Sequence, residues 1–183
     1  MRVVITRVAK DSIEQRTKNG LSFIVPLMRI RFIWVGKTKN EHVRALVGDY
    51  LQRLERFVRC EVTELRESAS GDERGVVEEE SKRIAAALVA RAEGVTVLLD
   101  VEGRASWSSP ELAAQVERWQ LEGKREIAFV VGGHLGVAAE LKAKADVRWS
   151  LSRLTLTHEM ARVVLVEQLY RAYTIMHGLP YQK

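Results

Sequence analysis

The chain has 183 residues, 46% hydrophobic and 29% charged, which is enough for one ordinary domain and too short for two comfortable ones. Its 29 Lys and Arg against 24 Asp and Glu leave a formal charge of +5, an excess that fits an acidic partner such as nucleic acid without demanding one. A single cysteine, Cys60, excludes an internal disulfide framework and a cysteine-based zinc site and suits a reducing cytosol. No apolar run approaches the roughly 20 residues that span a bilayer, and the basic start MRVVITRVAK leads into no long apolar signal core, so a soluble cytoplasmic protein is expected.

Residues 1–27 differ from the rest, with Arg2, Arg7, Lys10, Arg16 and Lys18 against only Asp11 and Glu14. A VVI run, a polar stretch ending Lys18-Asn19-Gly20, and LSFIV read either as a small hairpin turning at Asn19-Gly20 or as an arm without regular structure. Met28 then opens the strand pattern RIRFIWV, and the domain is placed at 28–183. From there β-branched runs alternate with helical patterns, the signature of an α/β sheet with crossover helices.

A helix over about 40–57 follows the first strand, with Val43, Leu46, Val47, Tyr50, Leu51 and Leu54 at helical spacing. CEVTELRE reads as a strand, residues 68–75 as a polar loop, and 76–91 as a helix. Thr96 to Asp100 is a short buried strand ending in a carboxylate, and Gly103 turns the chain. Ser109 before Pro110 fits an N-cap with a first-turn proline, while Ser108 with Glu111 fits a capping box. Either starts a helix there, with Leu112, Val116, Trp119 and Leu121 as its apolar stripe and Gly123 as its end. The fourth strand, 127–131, runs into Gly132-Gly133-His134-Leu135-Gly136; a short Ala-rich helix, a strand over 147–151 and a helix over 158–177 complete the chain.

Ligands of open α/β sheets settle beyond the carboxyl ends of strands, which singles out the loops after Asp100, Val131 and Leu151. The glycines after Val131 let backbone approach a ligand closely, although a tight turn alone also accounts for them. The first strand carries no GxGxxG, and no GxxxxGK[ST] occurs anywhere, so NAD and ATP are disfavoured. Any cofactor pocket is built by the C-terminal half.

The stretches FVVGGHLG, WSLSRLTLTHEMARVVLVEQLYRAYTIMHGLPY and RIRFIWVGK closely resemble the ribosomal RNA large subunit methyltransferase H family, a group of SPOUT-class knotted methyltransferases. The resemblance covers 28–183. It implies a mostly parallel α/β sheet with a C-terminal trefoil knot, an exception to the rule that chains do not thread their own loops. It also implies an S-adenosylmethionine-dependent homodimer that methylates N3 of a pseudouridine in helix 69 of 23S rRNA on the assembled 70S ribosome, without a metal. Carried over, the family's cofactor contacts fall on Leu99, Gly132, Leu151, Ser152, Arg153, Leu154, Thr155 and Leu156.

His158 and Arg162, four apart, share one helical face beside that loop. With the resemblance, Arg162 is expected at a phosphate or base and His158 near the methyl-transfer site; the alternative for Arg162 is ordinary surface. Tyr170, Arg171 and Tyr181 are candidate RNA contacts, since such side chains stack on splayed bases, with dimer packing as the other reading for Tyr170 and Tyr173. His134 is a ligand-facing side chain or an exposed turn residue. The chain departs from the family pattern at His134 (Pro or Ser), Thr157 (Pro) and Gln182 (His), and Gln182 cannot titrate near neutrality.

Two rival functions remain: a knotted ribosome-binding factor that has lost catalysis, suggested by Thr157 and Gln182, and a methyltransferase of tRNA, disfavoured by the lack of a dedicated RNA-binding domain. Residues 1–27 have no counterpart in the family and are either an RNA-contacting extension or an artefact of start-site choice, with Met28 as initiator. Without them the balance is 24 basic against 22 acidic residues. Ribosome binding therefore predicts positive charge gathered near Arg153, Arg162 and Arg171.

Overall fold

The computed structural model describes residues 3–4, 14–16, 22–24, 28–88 and 94–182. Three short strands come first: β1 (Val3–Val4), β2 (Glu14–Arg16) and β3 (Ser22–Ile24). β2 and β3 pair antiparallel, Glu14 opposite Ile24, so a hairpin forms, but the VVI run is not its first strand. Val3 and Val4 instead lie antiparallel to Thr63 and Val62 at the sheet edge. The expected turn at Asn19-Gly20 lies outside the described residues.

The sheet proper is β4 (Arg29–Val35), β5 (Arg59–Leu65), β6 (Gly94–Leu99), β7 (Glu126–Val131) and β8 (Val147–Trp149), alternating with α1 (Glu41–Leu54), α2 (Glu73–Leu88), α3 (Ser109–Leu121), α4 (Ala139–Lys144) and α5 (His158–Met176). The order is β1-β5-β4-β7-β6-β8, and every pair from β5 to β8 is parallel. Parallel strands need both faces covered, and alternate side chains supply both cores. Ile30, Phe32, Trp34, Ile127 and Phe129 meet α1, α3 and α5 through Val47, Leu112, Trp119 and Leu165. Ile33, Val35, Leu98 and Val130 pack with Ile84 of α2 and Leu141 of α4.

Local signals explain the helix ends. Ser108, not Ser109, is the N-cap of α3: its side chain accepts from Glu111 N–H while Glu111 accepts from Ser108 N–H at 2.7 Å, and Pro110 sits in the first turn. Leu121 is 84% exposed, so the apolar stripe ends at Trp119, and Leu46 is likewise on the outer face of α1. Thr157 caps α5, accepting from Met160 N–H at 3.3 Å. The threonine at this position thus supplies the cap itself.

Residues 148–150 are bonded on both flanks. On one side β8 pairs with β6, and Asp100 N–H donates to the Trp149 carbonyl at 3.0 Å. On the other, Ala105 N–H donates to the Arg148 carbonyl at 3.1 Å and Ser150 N–H to the Ala105 carbonyl at 2.9 Å. The strand passes between β6 and the segment that follows β6. A Cβ on Gly103 would meet Arg148 and Ser150 backbone at 2.7–2.8 Å, which is why the crossing carries glycine.

Candidate active site

The carboxyl ends of β6, β7 and β8 open on one cleft of about 750 Å³. It is lined by Leu99 to Glu102, by the whole segment from Val131 to Val137, and by Trp149, Leu151, Ser152 and Leu154 to His158. Seven of the eight residues carried over as cofactor contacts line it, namely Leu99, Gly132, Leu151, Ser152, Leu154, Thr155 and Leu156. Arg153 does not line it and is exposed. The loop after β8 is ordered by its serines: Ser150 Oγ donates to the Ser152 carbonyl at 2.9 Å, and Leu154 N–H donates to Ser152 Oγ at 2.9 Å. That turn holds Leu154 outward, 74% exposed.

One wall is ionic, and only the position of Asp100 at a strand end hinted at it. Arg148 donates to Asp100 at 2.7 Å and Lys142 lies 3.4 Å from both Asp100 and Glu102. Burial pushes the Asp100 carboxyl up, but the bonds from Arg148 and the Glu102 N–H, with the Lys142 charge, outweigh it and hold the pKa below its ordinary value.

His158 lines the cleft at the first turn of α5, half-buried, with His134 on the facing glycine loop. Burial lowers the His158 pKa first, then the positive charge of Arg162, with Glu159 and Glu67 opposing. Burial thus favours the neutral imidazole, the form that can accept a proton.

Arg162 corrects the sequence reading. It is fully buried and lines no part of the cleft. Its guanidinium donates to the Val35 carbonyl at 2.5 Å and to Thr38 Oγ1 at 2.9 Å, and lies 5.1 Å from the centre of the Trp34 ring. It faces inward, where the Val35 carbonyl at the end of β4 and Thr38 take its donors. With Glu159, which accepts from Lys39 N–H at 2.6 Å, it fastens α5 to the loop after β4.

The expected RNA-contacting side chains are engaged within the protomer. Tyr170 packs edge-on against Tyr181 and tilted against Tyr50 and Phe57. Arg171 bonds Glu167 at 2.6 Å and lies over the Tyr181 ring. The Tyr181 hydroxyl donates to Glu167 at 3.1 Å, and Tyr173 is core. The expected positive patch therefore does not form from Arg153, Arg162 and Arg171, since one is buried and one is paired with a carboxylate. The Gln182 side chain lies outside the described residues.

Among the described residues no group of three His, Cys, Asp or Glu side chains is placed to hold a metal, and no helix is long and apolar enough to cross a membrane. Compared with known families, residues 28–182 match the model described as predicted SPOUT methyltransferase. The ribosomal RNA large subunit methyltransferase H of Geotalea daltonii is 40% identical over 154 residues, covering 84% of this chain and 99% of that protein. The chain belongs to this family. The enzyme of the same name from Acetivibrio thermocellus is 39% identical over 160 residues, covering 85% of this chain and all of that one. In fold, a probable methylase family protein from Haemophilus influenzae Rd KW20 superposes with a TM-score of 0.53 at 14% identity, over 85% of this chain and 71% of its own.

Proposed function

We propose that this SPOUT methyltransferase uses S-adenosylmethionine to methylate N3 of a pseudouridine in helix 69 of 23S rRNA. It acts in the cytoplasm, as a homodimer, on the assembled 70S ribosome. Residues 28–183 form the catalytic domain, residues 1–27 are an extension to it, and the passage of 148–150 beside Gly103 belongs to a trefoil knot. The observation that carries the reading is the convergence of three strand-end loops on one cleft, in a chain whose relatives bear the name of an rRNA methyltransferase.

The residues of the cleft fit this cofactor. Its volume of about 750 Å³ lies within the ordinary range for small-molecule sites. Leu99, Leu151 and Leu154 offer apolar surface for a purine face, and Gly132 and Gly136 offer backbone unshielded by side chains. When bound, the cofactor supplies an electrophilic methyl on a sulfonium. The chain's own part is to hold the accepting nitrogen in line and to take its proton. His158, neutral and lining the cleft, is the group placed to accept it.

The test is to incubate the protein with methyl-labelled S-adenosylmethionine and either 70S ribosomes or bulk tRNA, then locate the label. Label at one pseudouridine of 23S rRNA is the expected result; label in tRNA alone overturns the assignment.

A further inference from the structure

Helix α2 meets the glycine loop at two points without itself lining the cleft. Near one end of the loop, Ser81 Oγ accepts from Ala138 N–H at 2.8 Å. Near the other stands Glu80, 1% exposed. Its Oε1 accepts from Ser68 N–H at 3.0 Å, while Oε2 is buried and has no hydrogen-bond partner. That oxygen occupies the place where a Cβ on Gly133 would stand. Gly133 itself lines the cleft, so a single backbone unit separates a buried carboxylate oxygen from the ligand's side of the loop.

An unpaired buried carboxylate oxygen is costly, and a hydrogen bond to a charged acceptor is among the stronger ones a protein makes. A rearrangement of the loop that turns a backbone N–H toward Oε2 would therefore be favoured. The loop can make it cheaply, because Gly132, Gly133 and Gly136 carry no side chains to reseat, and Gly136 already sits at φ +80°.

We propose that Glu80 is a positioning residue for the cofactor. When a ligand fills the cleft, the glycine loop shifts so that one of its N–H groups donates to Glu80 Oε2, and the bond stabilises the ligand-bound loop. This rests on the reading of the cleft as the S-adenosylmethionine site. It gives Gly133 a second purpose, since any side chain there would displace the carboxylate.

The test is calorimetric binding of S-adenosylhomocysteine to the full chain and to Glu80→Gln, with thermal denaturation of both ligand-free proteins. The amide has one acceptor oxygen for two tasks, so affinity is expected to fall roughly tenfold to a hundredfold, the loss of one charge-assisted bond. Ligand-free stability is expected to hold or rise, because an unpaired buried charge has been removed. A merely structural glutamate would lower both together. Gly133→Ala is the second variant: its methyl pushes Oε2 from its seat, and the same loss of affinity is expected with the fold intact by circular dichroism. Hydrogen exchange reads the loop directly. Amides of residues 133–138 gain protection with ligand in the wild type and not in Glu80→Gln. If the wild type binds the ligand and both variants bind it equally well, the role of Glu80 is overturned and the cofactor reading stands. If the wild type binds neither S-adenosylhomocysteine nor S-adenosylmethionine, the cofactor reading fails and takes this inference with it.

Discussion

Replacing Arg162 with alanine separates a buried fastening from an RNA contact. The side chain is wholly buried, donates to the Val35 carbonyl and Thr38 Oγ1, and packs on Trp34. Truncating a large buried side chain costs about 2–5 kcal/mol through lost packing and the cavity. Depriving the Val35 carbonyl of a donor adds about 1–3 kcal/mol. Against this, the guanidinium was desolvated with Nε unpaired, and its removal returns part of that penalty. A net loss of about 3 kcal/mol follows, or roughly 6–12 °C in Tm for a domain of this size. Arg162→Lys keeps the charge but lacks the planar fork that serves two acceptors, and should lose about 2 kcal/mol. Thermal denaturation measures the loss, and methyl transfer to ribosomes, assayed well below the variant's Tm, separates it from recognition. Arg162→Ala should show a lowered Tm with the ribosome KM changed little in the fraction that remains folded. An unchanged Tm with a KM raised tenfold would refute the burial argument and restore Arg162 to the RNA surface.

Ser108→Ala removes one half of the capping box of α3 and should cost about 1 kcal/mol, read as a shift of the urea midpoint at constant slope. Gly103→Ala drives a methyl into the Arg148 carbonyl and Ser150 nitrogen; a loss of about 1–3 kcal/mol is expected, and wild-type stability would mean that the crossing is looser than described. Leu154→Ala should leave Tm unchanged, because the side chain is 74% exposed, while weakening S-adenosylmethionine binding several-fold. His158 titrates below its ordinary value, so in the intermediate range the unfolded chain holds the extra proton. Its contribution to stability is complete above about pH 6.5 and is lost as pH falls from there toward the lower folded value. An NMR titration of the imidazole with a midpoint above 6.5 would contradict this.

The alternation of strands and helices was legible because both periodicities are strong where burial is two-sided. The bounds of β4 are legible to the residue, since RIRFIWV lies between a second methionine and a glycine. The three loops that make the cleft followed from strand ends alone. Side-chain direction was less visible. Helical spacing puts Leu46 and Leu121 on apolar stripes, yet both point outward, because spacing fixes a face to within a turn but not how far the neighbouring elements extend over it. Arg162 shows the converse failure. An arginine in the first turns of a helix beside a ligand loop reads as a solvent-facing cation, and only the position of the β4 carboxyl end, 127 residues earlier in the chain, turns it inward.

The same limit applies to the two features that most shape this site. Glu80 ends a run of three glutamates, Glu78 to Glu80, and nothing in that run marks one carboxylate as buried against Gly133 while Glu78 and Glu79 face solvent. The threading of 148–150 is equally silent. A strand pattern over 147–151 and a turn at Gly103 are each ordinary, and 45 residues separate Gly103 from Arg148. Their juxtaposition decides what a ligand meets, because the loops after β6 and β8 are locked to each other through Ala105, Arg148 and Ser150. Two of the cleft's three walls therefore cannot part without breaking that crossing, whereas the third, the glycine loop, is bonded to α2 through Ser81 and Ala138 and lies against the unpartnered oxygen of Glu80.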